Sequence, residues 1–94
     1  MSKTSFASVW DALEDTPEAA ENMRCRSKLM FALKEHIKAA GLSQAQAASA
    51  LGVTQPRISD LARGKINLFG LDALVNMAVA AGLRVEISVS IGDS

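Results

Sequence analysis

At 94 residues, 49% apolar but only 4% aromatic, the chain suits one small domain with an aliphatic core, and its ten basic and ten acidic residues cancel to zero net charge. A single cysteine, Cys25, excludes a disulfide framework and a thiolate metal cluster, so a reduced, cytoplasmic setting is expected. No apolar run approaches the roughly 18 residues of a membrane span, no signal-peptide region opens the chain, and no phosphate-binding glycine loop or nucleophile elbow occurs; enzyme, cofactor-binding and membrane classes are therefore not expected.

The neutral sum hides a segregation of charge. Residues 1–25, with Lys3 and Arg24 against five acids, carry −3. Residues 26–70 carry +5, with seven basic side chains against Glu35 and Asp60 alone, and residues 71–94 carry −2. The middle of the chain is thus the part suited to a polyanion.

In chain order, residues 1–25 read as an acidic N-terminal extension. Phe6, Val9, Trp10 and Leu13 fall at i, i+3, i+4 and i+7, one apolar stripe of a short amphipathic helix that Ser5 can cap. Two readings stand side by side: the stripe completes the chain's own core, or it docks into the groove of a partner, whose basic character would suit the acidic surroundings. Thr16-Pro17-Glu18 is a helix start: cap, proline at the first position, acid at the positive end of the dipole. No breaker follows until Gly41. Leu29, Leu33 and Ile37, widened by Met30 and Ala40, form an inner row, and the spacing leaves open whether residues 17–40 are one helix or two. His36 reads as an ordinary helix residue.

Residues 43–65, SQAQAASALGVTQPRISDLARGK, carry the densest signal. Ser43 with Gln46 three residues on is a capping box. Ala47, Ala48 and Leu51 share one face, and Gly52 permits a tight turn that Val53 plugs. Thr54 caps a second helix with Pro56 in its first turn, Ile58 and Leu61 face inward, and Gly64 ends it. Small residue, turn glycine and inward aliphatics at this spacing are what a helix-turn-helix requires. Gln55, Arg57, Ser59, Asp60 and Arg63 are expected to point outward. Lys65-Ile66-Asn67-Leu68-Phe69-Gly70 follows as a loop in which Ile66, Leu68 and Phe69 are expected to be core plugs. A last helix is expected from about Leu71 to Ala81, with Leu71, Leu74, Val75 and Ala78 inward and Gly82 as its stop. From Leu83 to Ile91 the period changes to two, so a strand is expected. With no second strand in the chain to pair with, Val85, Ile87 and Val89 are expected to pair with a second copy across a two-fold axis.

The run LSQAQAASALGVTQPRISDLARGK resembles the DNA-binding domain of the XRE, or phage-repressor-like, family, and with its flanks it is most similar to the HigA-type antitoxin branch. The resemblance implies a mainly α, five-helix-type domain over residues 26–82, with residues 83–94 as dimerisation strand and tail. It implies a sequence-specific repressor acting on double-stranded DNA and, on the antitoxin branch, a toxin partner; the expected two-fold dimer favours a palindromic operator, and the acidic N-terminal stripe suits a basic, ribonuclease-like toxin. The alternatives are a stand-alone repressor or a protein-interaction module on the same scaffold. Gln55, Arg57 and Ser59 are the candidates for base edges; Ser43, Gln44, Thr54, Arg63, Lys65 and Asn67 are those for the phosphate backbone. Pro56 stands where many relatives have a polar reader and offers only apolar contact, and Asp60 suits cytosine better than phosphate.

Overall fold

A computed structural model describes residues 16–91. Within them the chain runs through α1 (Pro17–Ala40), α2 (Gln44–Leu51), α3 (Gln55–Ala62), a 3-10 turn (Ile66–Leu68) and α4 (Leu71–Ala80). The N-terminal stripe Phe6, Val9, Trp10 and Leu13, and with it the expected first helix, lies outside the described residues.

α1 is one helix of 24 residues, about 36 Å long at 1.5 Å per residue, and passes Cys25 without a break. The Thr16 hydroxyl accepts from the Ala19 N–H at 3.0 Å and so caps its start. All four helices stop the same way. Gly41, Gly52, Gly64 and Gly82 each take φ between 67° and 86°. The following residue's N–H then bonds back five positions: Leu42 to Ile37, Val53 to Ala48, Lys65 to Asp60 and Leu83 to Ala78, at 2.9–3.1 Å. Each glycine thus reverses the chain while satisfying carbonyls the helix leaves open.

The core is assembled from one large, fully buried side chain per element: Leu33 of α1, Leu51 of α2, Leu61 of α3, Phe69 after the 3-10 turn and Leu74 of α4. Met30, Ala47, Ala48, Ile58, Met77 and Ala78 complete it, and no polar or charged side chain among the described residues is buried. α1 lies against α4, while α2 packs on α3 and on α4. Ala48, the small residue that the helix-turn-helix spacing singles out, is buried together with Ala47 in α2, which packs on α3. Two expectations are corrected. Leu68 is 49% exposed and is no core plug; the 3-10 turn directs Phe69 inward instead. Met77, which the α4 reading omitted, is buried, whereas Leu71 and Val75 are only half-buried.

The expected C-terminal strand is not formed. Residues 83–91 are neither helix nor strand, and the described residues comprise four α-helices and one 3-10 turn. The physical reason is the one the sequence raised: a strand needs a partner for its backbone groups, and no other described segment is extended beside it. The alternation itself survives at the start, where Leu83 and Val85 are half-buried against the core and Arg84 and Glu86 are exposed.

Gly52 and Gly70 separate conformation from space. A Cβ on Gly52 would meet Ala80 Cβ at 3.8 Å, an ordinary contact, so the cost of Gly52→Ala is that of φ +71°, about 1–2 kcal/mol. Gly70 caps α4 at φ −77° with open space around it and no side-chain bond to the helix. Gly70→Ser supplies that bond and stabilises by about 0.5 kcal/mol. Thermal unfolding of the two variants is expected to move the midpoint in opposite directions; a shift of the same sign in both refutes this account of the helix ends.

Candidate nucleic-acid interface

α2 and α3 present one continuous polar surface around the Gly52 turn. The Ser43 N–H donates to Gln46 Oε1 at 2.9 Å and the Gln46 N–H to Ser43 Oγ at 3.1 Å, the reciprocal capping box the sequence predicts. It leaves Gln44 exposed at the first position of α2, beside the N–H groups of its opening turn. Thr54 caps α3 through its hydroxyl, accepting from the Arg57 N–H at 3.4 Å. Ile58 and Leu61 face inward. Gln55, Pro56 and Arg63 are exposed, and Ser59 and Asp60 are half-buried between them. Lys65 and Asn67 stand exposed just beyond the end of α3. Lys65 Nζ lies 4.0 Å from Asp60 Oδ1, so the one acid on this surface has a cation beside it.

Arg57 departs from the expected outward set. Its Nη1 donates to the Leu68 carbonyl at 2.9 Å, and its guanidinium carbon lies 4.1 Å from the centre of the Phe69 ring. Its side chain is half-buried. The reason is periodicity: Arg57 stands four residues before Leu61 and shares that face of α3, which turns it toward the loop after the helix. From the opposite side Arg26 of α1 donates to the Ile66 and Phe69 carbonyls at 3.4 and 3.3 Å, its Nε held by Asn22 Oδ1 at 2.7 Å. Arg26 was not among the sequence candidates; its place one helical turn before Met30, on the inner face of α1, is the signal that marks it.

Further basic side chains border α3 on its other flank. Lys34 and Lys38 of α1, with Gln44, rim a shallow apolar cleft of about 180 Å³ floored by Ile37, Leu42, Ile58, Leu61 and Ala62. Their i, i+4 spacing next to the motif is the sequence sign that they belong to the same surface. Arg24 does not join them. It is turned along α1 to Glu21, and the hydrogen bond from Arg24 holds the Glu21 carboxyl below its ordinary range. Of the expected dimer residues, Val85 packs on the core, whereas Ile87 and Val89 are 83% and 89% exposed. Among the described residues no group of His, Cys, Asp or Glu is placed to hold a metal ion, and no helix is long and apolar enough to cross a membrane.

A helix-turn-helix domain family model matches residues 12–90. A solved structure described as an XRE-family transcriptional regulator is 35% identical, with a TM-score of 0.71, covering 79% of this chain and 83% of that one. Comparison with curated proteins gives no significant match. The turn at Gly52, the two alanines beneath α3 and these matches over most of the chain agree, and the chain belongs to the XRE family of helix-turn-helix proteins.

Proposed function

We propose that the chain is a DNA-binding transcriptional repressor that lays α3 in the major groove. The observation that carries this reading is the row of exposed Gln55, Pro56 and Arg63 with half-buried Ser59 between them, flanked in the chain by exposed Ser43 and Gln44 before it and by exposed Lys65 and Asn67 after it. That is the layout of base-reading groups between two phosphate-holding groups. The amide of Gln55 suits an adenine edge, Pro56 the methyl of a thymine, and Ser59 either kind of edge. The opening N–H groups of α2 beside Gln44, and Thr54 at the start of α3, suit phosphate oxygens, as do Arg63, Lys65 and Asn67. The proximity of Lys65 to Asp60 offsets the repulsion an isolated acid would exert on the backbone. Such a protein works where the DNA is, in the cytoplasm.

The same reading extends to assembly. Ile87, Val89 and Ile91 are 83%, 89% and 97% exposed in a segment whose pattern is that of a strand and whose backbone pairs with nothing in the described chain. Pairing with the same segment of a second copy covers them, closes the edge, and sets two copies of α3 about 34 Å apart on a palindromic operator. An antitoxin role, with Phe6, Val9, Trp10 and Leu13 docking on a basic ribonuclease-like toxin, rests on the acidic apolar stripe of residues 1–25.

Binding to a duplex carrying the promoter of its own gene is expected to fall steeply with salt. Lys65→Ala is expected to weaken binding to every sequence alike and to lower the salt slope by about one. Absence of binding at low salt in a polarisation assay ends the repressor reading. Light scattering at micromolar concentration is expected to give twice the chain mass, and Ile87→Pro, which removes a ladder donor, to halve it; a wild type with the mass of one chain rules out the strand-paired dimer. Deleting residues 1–15 is expected to leave the melting temperature and DNA binding intact while abolishing toxin capture, and a large loss of stability on deletion would instead assign the stripe to the core.

A further inference from the structure

The proposed base-reading surface contains one residue whose side chain is already committed. Arg57 gives a hydrogen bond to the Leu68 carbonyl at 2.9 Å and covers the face of Phe69 at 4.1 Å, while Phe69 itself is fully buried. A charge-assisted bond of this length and a guanidinium stacked over an aromatic ring are both lost if the side chain swings toward a groove. The loop it holds is short and held twice. Arg26 takes the Ile66 and Phe69 carbonyls from the α1 side, and within the turn the Leu68 N–H bonds the Lys65 carbonyl at 3.0 Å. Lys65 and Asn67, the exposed polar groups of this loop, therefore owe their position to two guanidiniums that approach the loop from α3 and α1.

We infer that Arg57 is a positioning residue, which clamps the 65–69 loop so that Lys65 and Asn67 meet the phosphate backbone, and that base selection falls to Gln55 and Ser59. The inference rests on the DNA-binding reading above and deepens it, dividing that surface into readers and supports. It also accounts for a departure from expectation: Gln and Arg are the two side chains suited to bidentate base contacts, and of Gln55 and Arg57, the pair in the first turn of α3, only Gln55 is exposed. Arg57 serves the contact indirectly, through a loop four to eight positions along the chain from the end of its own helical turn.

The test uses the full chain, a duplex enriched from a random library by the wild type, and every single-base-pair variant of that duplex. Arg57→Ala is expected to weaken binding to the enriched duplex and to its variants by one common factor, roughly five- to tenfold, leaving the pattern of base preference unchanged. Gln55→Ala is expected to flatten preference at one base pair. The decisive readout is coupling. Lys65→Ala lowers affinity and the salt slope in the wild type but does neither in the Arg57→Ala background, because the loop no longer presents Lys65; a residue that merely stabilised the fold would leave the Lys65 effect intact. Arg57→Lys, which keeps a donor but not the planar stack, is expected to restore part of the affinity and part of the coupling. Hydrogen exchange at the 66–69 amides is expected to quicken in Arg57→Ala. The inference is overturned if Arg57→Ala erases preference at a single base pair while non-specific affinity and loop exchange stay at wild-type values, or if the Lys65 effect persists unchanged in the double variant. A wild type that enriches no sequence overturns the DNA reading itself, and is distinguished from the former outcomes by loop exchange that still responds to Arg57→Ala.

Discussion

Helices of eight residues do not hold in water by their own hydrogen bonds, and both α2 and α3 are of that length. What holds them is the crossing of one on the other. Ala47 and Ala48 bring the two backbones close, Leu51 and Leu61 fill the space beside them, and Gly52 with Val53 sets the angle. Because no polar or charged side chain is buried among the described residues, the side chains of this junction hold it by apolar contact, beside the backbone bond from the Val53 N–H to the Ala48 carbonyl at the turn. Each buried leucine there is worth about 2–5 kcal/mol against alanine, a large share of what a domain of this size has in total. The outer face of α3 is free to be polar only because its inner face is locked in this way.

The same economy shapes the electrostatics. A chain of zero net charge attracts DNA only if its charge is sorted, and the sorting follows the fold. Six of the seven basic residues of the middle segment, all but Lys28, divide between two duties. Arg26 and Arg57 turn inward to backbone carbonyls of the loop after α3, where a planar guanidinium satisfies groups that no helix or sheet covers. Lys34, Lys38, Arg63 and Lys65 remain at the surface around α3. A count of positive charge in the sequence therefore overstates what faces outward by the two arginines the loop consumes.

Much of this was legible in the residues. The Thr16, Ser43 and Thr54 caps, the four glycine stops, and the inward Leu33, Ala47, Leu51, Ile58 and Leu61 all follow from short-range rules, because caps and turns are decided within a few residues. The errors lie where a neighbour distant in sequence decides. Leu68 and Phe69 are adjacent and equally apolar, and only the 3-10 turn determines which one enters the core. Arg57 is expected among the outward residues; its place on the Leu61 face turns it to the Leu68 carbonyl, a partner eleven residues along the chain. The residues from Leu83 to Ile91 have the period of a strand, but a strand is a relation between two segments, and one chain supplies a single segment.

That last relation bears on how the proposed repressor can be specific at all. With Pro56 limited to apolar contact, Asp60 beside Lys65 and Arg57 bound to Leu68, one copy of α3 offers Gln55 and Ser59 as its direct readers. A good bidentate contact discriminates by about 1–3 kcal/mol, while specific sites are usually preferred over random DNA by about 4–10 kcal/mol. The single bidentate contact of Gln55 falls short of that range in one copy, and two such contacts, one at each half-site, reach its lower part, since discrimination at two half-sites adds. The exposed apolar row Ile87, Val89 and Ile91 and the sparse reading face of α3 thus answer the same need: under the proposed reading, a surface too thin to select a site alone is coupled, through the exposed apolar segment after α4, to a second copy of itself.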